Sequence, residues 1–414
     1  MPSRSVILCI VGTLFLRLGN SATGTLMVLL LAAVDREGGD ISANSVGLLA
    51  AAFYVSELIG APWFGVQSDR RGRRPFMVAG PILGGLAIQL IGWPRQIIFM
   101  AIGRVLEGLS TASTAPSTLS YLSAMTVDGA GLRARVMAWY EMATVVGLAG
   151  GFVAAGLLWD TLGNGSFIAV TAIYAMSLAT FWFVRDVYQP APERRRDGRS
   201  LLAVLQYPRV LRFAPAWLSV NTILGAWLIH SAFVLTGEAR TGQHLAGAFG
   251  GSGLSVVFSG LGVAFLVGIY LWGMAMGARR RTTIMLATLP GIAIICVALL
   301  ALNHFDGSRT MSAALTLLLG LGIGVASGFT PAALAYLADL SEEAAHLRGA
   351  IMGFYSVLLG LGQLIGGALG GPFAEAGGVD GLVLFTGILG TVATIVVLIL
   401  RRLETPGVAA GVEP

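Results

Sequence analysis

Long apolar runs separated by short polar segments occupy almost the whole chain. A helix needs about 20 predominantly apolar residues to cross the hydrocarbon core of a bilayer. The runs are continuous, whereas strands of a membrane barrel alternate apolar and polar residues over about ten positions. The pattern therefore predicts twelve membrane-spanning helices, spans 1 to 12, at about 6–34, 43–64, 75–94, 97–125, 134–159, 166–187, 210–236, 254–277, 282–303, 310–338, 348–373 and 380–400.

The longest polar stretch, "YQPAPERRRDGRS" at 188–200, divides these spans into two sets of six. Its prolines, its charges and its lack of an apolar face are typical of a linker. We therefore expect an all-α integral membrane protein of four segments: a six-helix half at 1–187, a cytoplasmic linker at 188–209, a second six-helix half at 210–402 and a cytoplasmic tail at 403–414.

The two halves share an internal repeat. When the sequence is shifted by 215 residues, "LRARVMAWY" (132–140) lies over "LRGAIMGFY" (347–355), and 12 of the 41 positions from 116 to 156 are identical. Spans 4 and 5 therefore repeat as spans 10 and 11, in the same orientation because six spans separate them. Parallel repeats of this kind place a substrate at the interface of the halves, near the bilayer midplane.

Composition supports the membrane assignment, since 56% of residues are hydrophobic and only 11% are charged, against roughly a quarter charged in soluble domains. All 26 basic residues are Arg. With the N-terminus in the cytoplasm, twenty of them lie on the inner side and four on the outer side. This asymmetry follows the positive-inside rule. It predicts that both termini are cytoplasmic, and it explains the net charge of +5 without a nucleic-acid partner.

Five charged residues lie well inside predicted spans: Arg17, Glu57, Arg104, Glu107 and Glu141. A charge at the centre of a membrane helix costs at least about 2.5–3.5 kcal/mol, so these side chains are expected to face the interior of the bundle. Two interpretations stay open at this point. The charges form either a structural ion-pair network or a substrate cavity with a proton site.

Helical spacing groups some of these charges with other polar residues. In span 1, Arg17 and Asn20 are three residues apart, and in span 4 Arg104, Glu107 and Thr111 follow at intervals of three and four. Each set therefore shares one helix face. The span-4 set begins a polar face that continues toward the inner end of the span.

A carboxylate whose Arg partner moves away between two states would take up and release a proton. Glu57 and Glu141 are the two candidates for this role, each within reach of Arg17, and Arg104 is the expected modulator. In the second half, spans 7 and 11 each add one polar side chain. The candidate substrate and proton-coupling residues are therefore Arg17, Asn20, Glu57, Arg104, Glu107, Glu141, Asn221 and Gln363.

Two motifs resemble those of a known family. The loop "GVQSDRRGRR" (65–74) between spans 2 and 3 resembles the signature loop of the major facilitator superfamily, and "RVLEG" (104–108) resembles its second motif, in span 4. The resemblance covers nearly the whole chain. It implies a fold of twelve membrane helices in two six-helix halves, and a transporter in the bacterial cytoplasmic (inner) membrane.

The resemblance also implies a cytoplasmic gate. In this family the Asp of the loop lies near the start of span 11, where the amide groups and dipole of a helix N-terminus favour a carboxylate. An Asp69–Arg73 or Asp69–Arg348 ion pair would add to this contact. The corresponding loop of the second half, "GMAMGARRR" (273–281), has Gly277 in place of the acid. The predicted gate residues are Gly65, Asp69, Arg70, Gly72, Arg73 and Arg348.

The expected function is secondary active transport by alternating access, because the chain contains no phosphate-binding G-x-x-x-x-G-K-[ST] loop. The resemblance favours proton-coupled export of an amphipathic or drug-like solute. The alternative is uptake or facilitated diffusion of a small polar or anionic metabolite, attracted by Arg17 and Arg104. No span carries a nucleophile or metal-binding motif typical of an enzyme. We expect a monomer in the bilayer that binds a small molecule and needs no cofactor, with a proton as the coupling ion.

Overall fold

The structure is a computed structural model that describes residues 3–38, 41–94, 96–125, 130–185, 207–275, 280–305, 307–343 and 348–403. Inside the helices, some side chains also lie outside the described part, including those of Asp69, Glu141 and Arg348. Most of the predicted linker and nearly all of the predicted tail fall outside the described residues.

The described chain is built from α-helices joined by short connections, with a single 3-10 turn at Gly163–Gly165. The all-α prediction is therefore confirmed. The helices are α1 (Arg4–Arg36), α2 (Ala43–Arg71), α3 (Arg74–Gly92), α4 (Ile97–Ala124), α5 (Ala130–Leu162), α6 (Ser166–Trp182), α7 (Pro208–Thr236), α8 (Gly251–Ala275), α9 (Arg281–Thr288), α10 (Pro290–His304), α11 (Arg309–Ala326), α12 (Phe329–Glu343) and α13 (Arg348–Leu403).

Ten stretches of the described chain are long and apolar enough to cross a membrane. Two of them are much longer than one crossing needs. Met142–Trp182 contains parts of both α5 and α6. Val357–Leu403 lies in α13, which is interrupted at Gly378 by a φ of 60° and a ψ of −127°. With each of these two counted as two crossings, the structure agrees with the twelve predicted spans.

The chain divides into two compact units. Unit 1 is Met1–Arg194 with Leu235–Glu238 and Phe249–Ser259, and unit 2 is Arg195–Val234 with Ala239–Ala248 and Gly260–Pro414. The sequence boundary proposed between the halves, 188–209, stays a prediction.

Unit 1 is organised around two helices, since α1 packs against α5 and α6 while α4 packs against α2 and α3. Glycines allow the closest of these contacts. A Cβ at Gly147 of α5 would lie 2.7 Å from the Leu14 carbonyl oxygen, and one at Gly151 would lie 2.5 Å from that of Leu18. The sequence "GLAGG" (147–151) therefore lets α5 lie directly on the backbone of α1, as small residues do in membrane bundles.

In unit 2 the repeated glycines have the same role against α7. A Cβ at Gly362 of α13 would lie 2.5 Å from Asn221 Cβ, and one at Gly366 would lie 2.6 Å from the Ala226 nitrogen. Gly147 and Gly151 correspond to Gly362 and Gly366 under the shift of 215 residues. The internal repeat is therefore a repeated helix contact, α5 on α1 in one unit and α13 on α7 in the other.

Asp380 of α13 joins three parts of unit 2. Its carboxylate accepts a hydrogen bond from Asn303 Nδ2 at 2.9 Å and lies 2.8 Å from His304 Nε2, both at the end of α10. Gln243 Nε2, in the connection after α7, donates to the same carboxylate at 3.3 Å. Asn303 is fully buried, so its amide depends on this acceptor.

We expect Asp380→Ala to lower the free energy of unfolding by about 1–2 kcal/mol, because a buried donor left without an acceptor carries a desolvation penalty. The measurement is the thermal midpoint of the purified protein in detergent. The matched control is Asp339→Ala, which removes an exposed ion pair with Arg281 at 3.1 Å. Exposed pairs contribute about 0–1 kcal/mol, so equal losses in the two variants would contradict the prediction.

Candidate functional site

The buried charges of α4 form a direct ion pair. Arg104 Nη1 lies 2.5 Å from Glu107 Oε2, and the two residues are 6% and 1% exposed. The Arg104 Nε also donates to the Leu49 carbonyl oxygen at 3.4 Å. The guanidinium lies over the Phe53 ring, 4.7 Å from its centroid. The pair on α4 is therefore held against α2 by a hydrogen bond and a cation–π contact.

Glu57 is the second carboxylate of this region. It lies half-buried on α2, one turn after Phe53. The positive charges of Arg17 and Arg104 both act on its carboxylate. Among the described side chains, Arg104 makes an ion pair with Glu107 and none with Glu57. The charge of Arg104 therefore acts on the Glu57 carboxylate at longer range. Of the two predicted carboxylate partners of Arg17, Glu57 is electrostatically coupled to it, and the side chain of Glu141 lies outside the described part.

Gly108 explains the last position of the "RVLEG" motif. A Cβ at Gly108 would overlap the Phe53 carbonyl oxygen and the Ser56 Oγ, and it would lie 3.1 Å from the Glu57 nitrogen. The glycine therefore lets α4 touch the backbone of α2 at the turn that carries Glu57. This close approach brings the charges of the two helices together.

Asn20 extends the cluster to α1. Its Nδ2 donates to Thr111 Oγ1 of α4 at 2.7 Å, and its Oδ1 accepts from the Tyr174 hydroxyl of α6 at 2.9 Å. One turn further along α1, a Cβ at Gly24 would lie 3.5 Å from Arg104 Nη1. The structure thus gathers Asn20, Arg104 and Glu107 in the core of unit 1, with Glu57 coupled to Arg104 through its charge.

The two candidates of the second half lie in unit 2. Asn221 Nδ2 donates to the Trp217 carbonyl oxygen of its own helix at 2.8 Å. The Gln363 backbone packs on α7, where a Cβ at Gly225 would lie 2.6 Å from Gln363 Cα. Both residues therefore lie where α7 packs against α13. A role for their side chains in transport stays a prediction.

The predicted gate loop joins α2 to α3 in unit 1. Gly72 ends α2 with a φ of 93°, which only glycine adopts without strain. Arg73 is 7% exposed and its Nε donates to Ser120 Oγ of α4 at 2.9 Å, while Arg70 is exposed. A Cβ at Gly65 would lie 3.7 Å from Pro116 Cβ, in ordinary contact with α4.

Two of the predicted gate residues, Asp69 and Arg348, have side chains outside the described part. The ion pairs Asp69–Arg73 and Asp69–Arg348 therefore stay predictions. What the structure gives for this loop is the positive φ of Gly72 and the attachment of Arg73 to α4.

Sequence reasoning missed three aromatic residues of the cluster. Phe53 lies under Arg104, and Tyr54 is acted on by the charges of Arg104, Glu57 and Glu107. Phe53 is four residues before Glu57, so helical spacing could have indicated it. Tyr174 shares a polar face of α6 with Thr171 and Ser177, at intervals of three residues. That spacing could have indicated Tyr174, but not its partner Asn20, which lies in a helix 154 residues away in sequence.

Apolar membrane-crossing helices around a small buried set of opposite charges are typical of membrane transport proteins. The family comparison agrees with this class. The model of the Major Facilitator Superfamily matches residues 9–327 and 242–413, so the chain belongs to this superfamily. The resemblance seen in the loop at 65–74 and in "RVLEG" is confirmed.

The relatives are transport and resistance proteins. The chain is 24% identical to Multidrug resistance protein 2 of Bacillus subtilis (strain 168) over 345 residues, which cover 80% of each chain. It is 23% identical to the human Synaptic vesicular amine transporter over 362 residues, 83% of this chain and 64% of that protein. It is 29% identical to the class B Tetracycline resistance protein of Escherichia coli over 143 residues, about a third of each (34% and 35%).

Among solved structures, the nucleoside transporter NupG superposes with a TM-score of 0.76 over 97% of this chain and 98% of that one, at 12% identity. At this identity the likeness is one of fold. The chain is thus a multi-pass membrane transporter of this superfamily, with bacterial relatives.

Proposed function

We propose that the protein exports an amphipathic or drug-like solute in exchange for protons, by alternating access. The observation that carries the proposal is the state of the two described carboxylates in the core of unit 1. Glu107 is engaged by Arg104 at 2.5 Å. Glu57 makes no ion pair among the described side chains, and the charges of Arg17 and Arg104 act on it at longer range. Of these two carboxylates, Glu57 is therefore the one that can change protonation without first breaking a buried ion pair.

The relatives support the class of solute and the outward direction. Two of the proteins described above are named as resistance proteins and a third as an amine transporter. In this proposal the chain lies in the bacterial inner membrane with both termini in the cytoplasm. The coupling ion is a proton, and no cofactor takes part.

The alternative, uptake or facilitated diffusion of a small polar or anionic metabolite, depends on Arg17 and Arg104 as attractants. Arg104 is occupied by Glu107 and by the Phe53 ring, which reduces its capacity to bind a solute anion. The same experiment distinguishes the two functions.

The test measures proton movement in proteoliposomes that contain a pH-sensitive dye. Gradients of lipophilic cations, sugars and organic anions are imposed in turn on the wild type, Glu57→Gln and the control Glu238→Gln, which alters an exposed carboxylate. We expect a proton signal with lipophilic cations in the wild type and the control, and its loss in Glu57→Gln.

Three results would count against the proposal. Labelled solute that moves without any proton signal would indicate a facilitator. A signal confined to sugars or organic anions would favour the alternative function. A full signal in Glu57→Gln would exclude this residue as the proton site.

A further inference from the structure

Tyr174 lies at the centre of a hydrogen-bonded chain that links three helices of unit 1. The residue is 1% exposed, and its hydroxyl donates to Asn20 Oδ1 of α1 at 2.9 Å. The hydroxyl also lies 3.1 Å from Thr23 Oγ1 of the same helix. The Thr23 hydroxyl itself lies 2.8 Å from the Gly19 carbonyl oxygen. The phenol therefore bonds α6 to Asn20 of α1 and also contacts the next turn of that helix at Thr23.

The ring of Tyr174 occupies a slot formed by two glycines. A Cβ at Gly19 of α1 would lie 3.0 Å from ring atoms Cε1 and Cζ, and one at Gly84 of α3 would overlap the ring. Close-packed surroundings of this kind restrict a side chain to one rotamer. The hydroxyl is therefore delivered to one place, beside Asn20.

The hydrogen bond from Tyr174 sets the orientation of the Asn20 amide. An amide has one acceptor end and one donor end. Since Oδ1 receives the tyrosine proton, Nδ2 points the other way and donates to Thr111 Oγ1 at 2.7 Å. Thr111 lies one turn after Glu107 on α4, so the amide connects α1 to the helix that carries the buried ion pair.

The series of hydrogen bonds from Tyr174 through Asn20 to Thr111 ends next to the charges of the candidate site. The charges of Glu107 and Arg104 both act on the Tyr174 hydroxyl. On α1, the position of Gly24 places the backbone against Arg104, with a Cβ 3.5 Å from Nη1. A rotation of the Asn20 amide would present its carbonyl oxygen to Thr111 and its NH2 group to Tyr174, so the two hydroxyls would have to exchange their donor and acceptor roles.

We propose that Tyr174 is a positioning residue of the transport site, which fixes the Asn20 amide and through it the register of α1 against α4. The inference rests on the proposed placement of the transport site in this cluster. Tyr174 acts through Asn20 and does not contact the solute. Gly19 and Gly84, which make room for its ring, take part in the same positioning.

The test compares Tyr174→Phe with Tyr121→Phe, which removes a buried hydroxyl bonded at 3.0 Å to the Arg185 carbonyl oxygen in the same unit. Entry of labelled tetraphenylphosphonium into proteoliposomes is measured per folded transporter, so the assay does not require proton coupling. We expect Tyr174→Phe to raise KM roughly 3–10-fold, because one buried hydrogen bond is lost. We expect its kcat to stay within about twofold of the wild-type value. Gly84→Ala, which keeps the hydroxyl but displaces the ring, should raise KM in the same direction, and Tyr121→Phe should not.

An unchanged KM in Tyr174→Phe would overturn the inference while leaving the proposed function intact. Absence of transport in the wild type would count against the proposed function instead. In that case the thermal stability of Tyr174→Phe, Asn20→Leu and the double variant decides the matter. A double variant that loses less than the sum of the single losses would support the link, and strictly additive losses would overturn it.

Discussion

Arg104→Ala is expected to destabilise the protein by about 3–5 kcal/mol, because removal of one partner leaves the other as an uncompensated buried charge. Glu107 is 1% exposed and its carboxylate faces Arg104 at 2.5 Å. The hydrogen bond to Leu49 and the contact with the Phe53 ring disappear at the same time. Typical proteins are stable by only about 5–15 kcal/mol, so a large part of the folded population should be lost. The measurement is the denaturation midpoint in detergent, with the yield of monodisperse protein beside it.

The control for this prediction replaces both charges with apolar side chains of similar length, Arg104→Met with Glu107→Leu. A buried ion pair exchanged for apolar residues is often neutral or stabilising, so the double variant should recover most of the lost stability. Its transport then separates two roles of the pair. Normal solute-driven proton movement in a stable double variant would assign the pair to structure alone. A double variant as unstable as Arg104→Ala would contradict the explanation that Arg104→Ala destabilises the protein by leaving Glu107 as an unpaired buried charge.

Hydrophobic length and helical spacing were sufficient for the fold and for part of the candidate site. The spans follow from continuous apolar runs, and Arg104 with Glu107 could be placed on one face because they are three residues apart. The two-half organisation was indicated by the internal repeat, which proves to be a repeated glycine contact between helices.

What spacing could not supply was the partner of each charge across helices. The sequence left Arg17 between two carboxylates, because depth along a helix does not fix the rotation of one helix against its neighbour. The electrostatic coupling of Arg17 to Glu57 follows from the packing of unit 1. That packing depends on Gly108, where α4 touches the backbone of α2.

Tyr174 shows a second limit of sequence reasoning. Its spacing from Thr171 and Ser177 indicates a polar face of α6 but not what that face contacts. Tyr174 depends on an amide 154 residues earlier and on glycines of two other helices that make room for its ring. Long-range contacts of this kind are set by the rotation and depth at which helices pack. They become visible only when the helices are assembled.

Gly108→Val is expected to lower the free energy of unfolding by about 3 kcal/mol, the upper part of the usual range for overpacking. Only Arg104→Ala is expected to destabilise the protein more. The new side chain would collide with the Phe53 carbonyl oxygen and with Ser56 Oγ. These are backbone and near-backbone atoms of a rigid helix, so α2 itself must move away from α4. That movement would carry Glu57 away from Arg104 and so weaken the electrostatic coupling between them. Proton movement driven by a lipophilic cation should therefore fall further than the amount of folded protein does.

The matched control is Gly260→Val in α8, where a Cβ meets no atom within 4 Å, so stability and transport should stay close to wild type. Gly108→Ala tests the same contact with a single added methyl group and should show a smaller loss in the same direction. If Gly108→Val and Gly260→Val behaved alike, α2 and α4 would not be in backbone contact at this turn. The coupling of Glu57 to Arg104 would then need another physical basis.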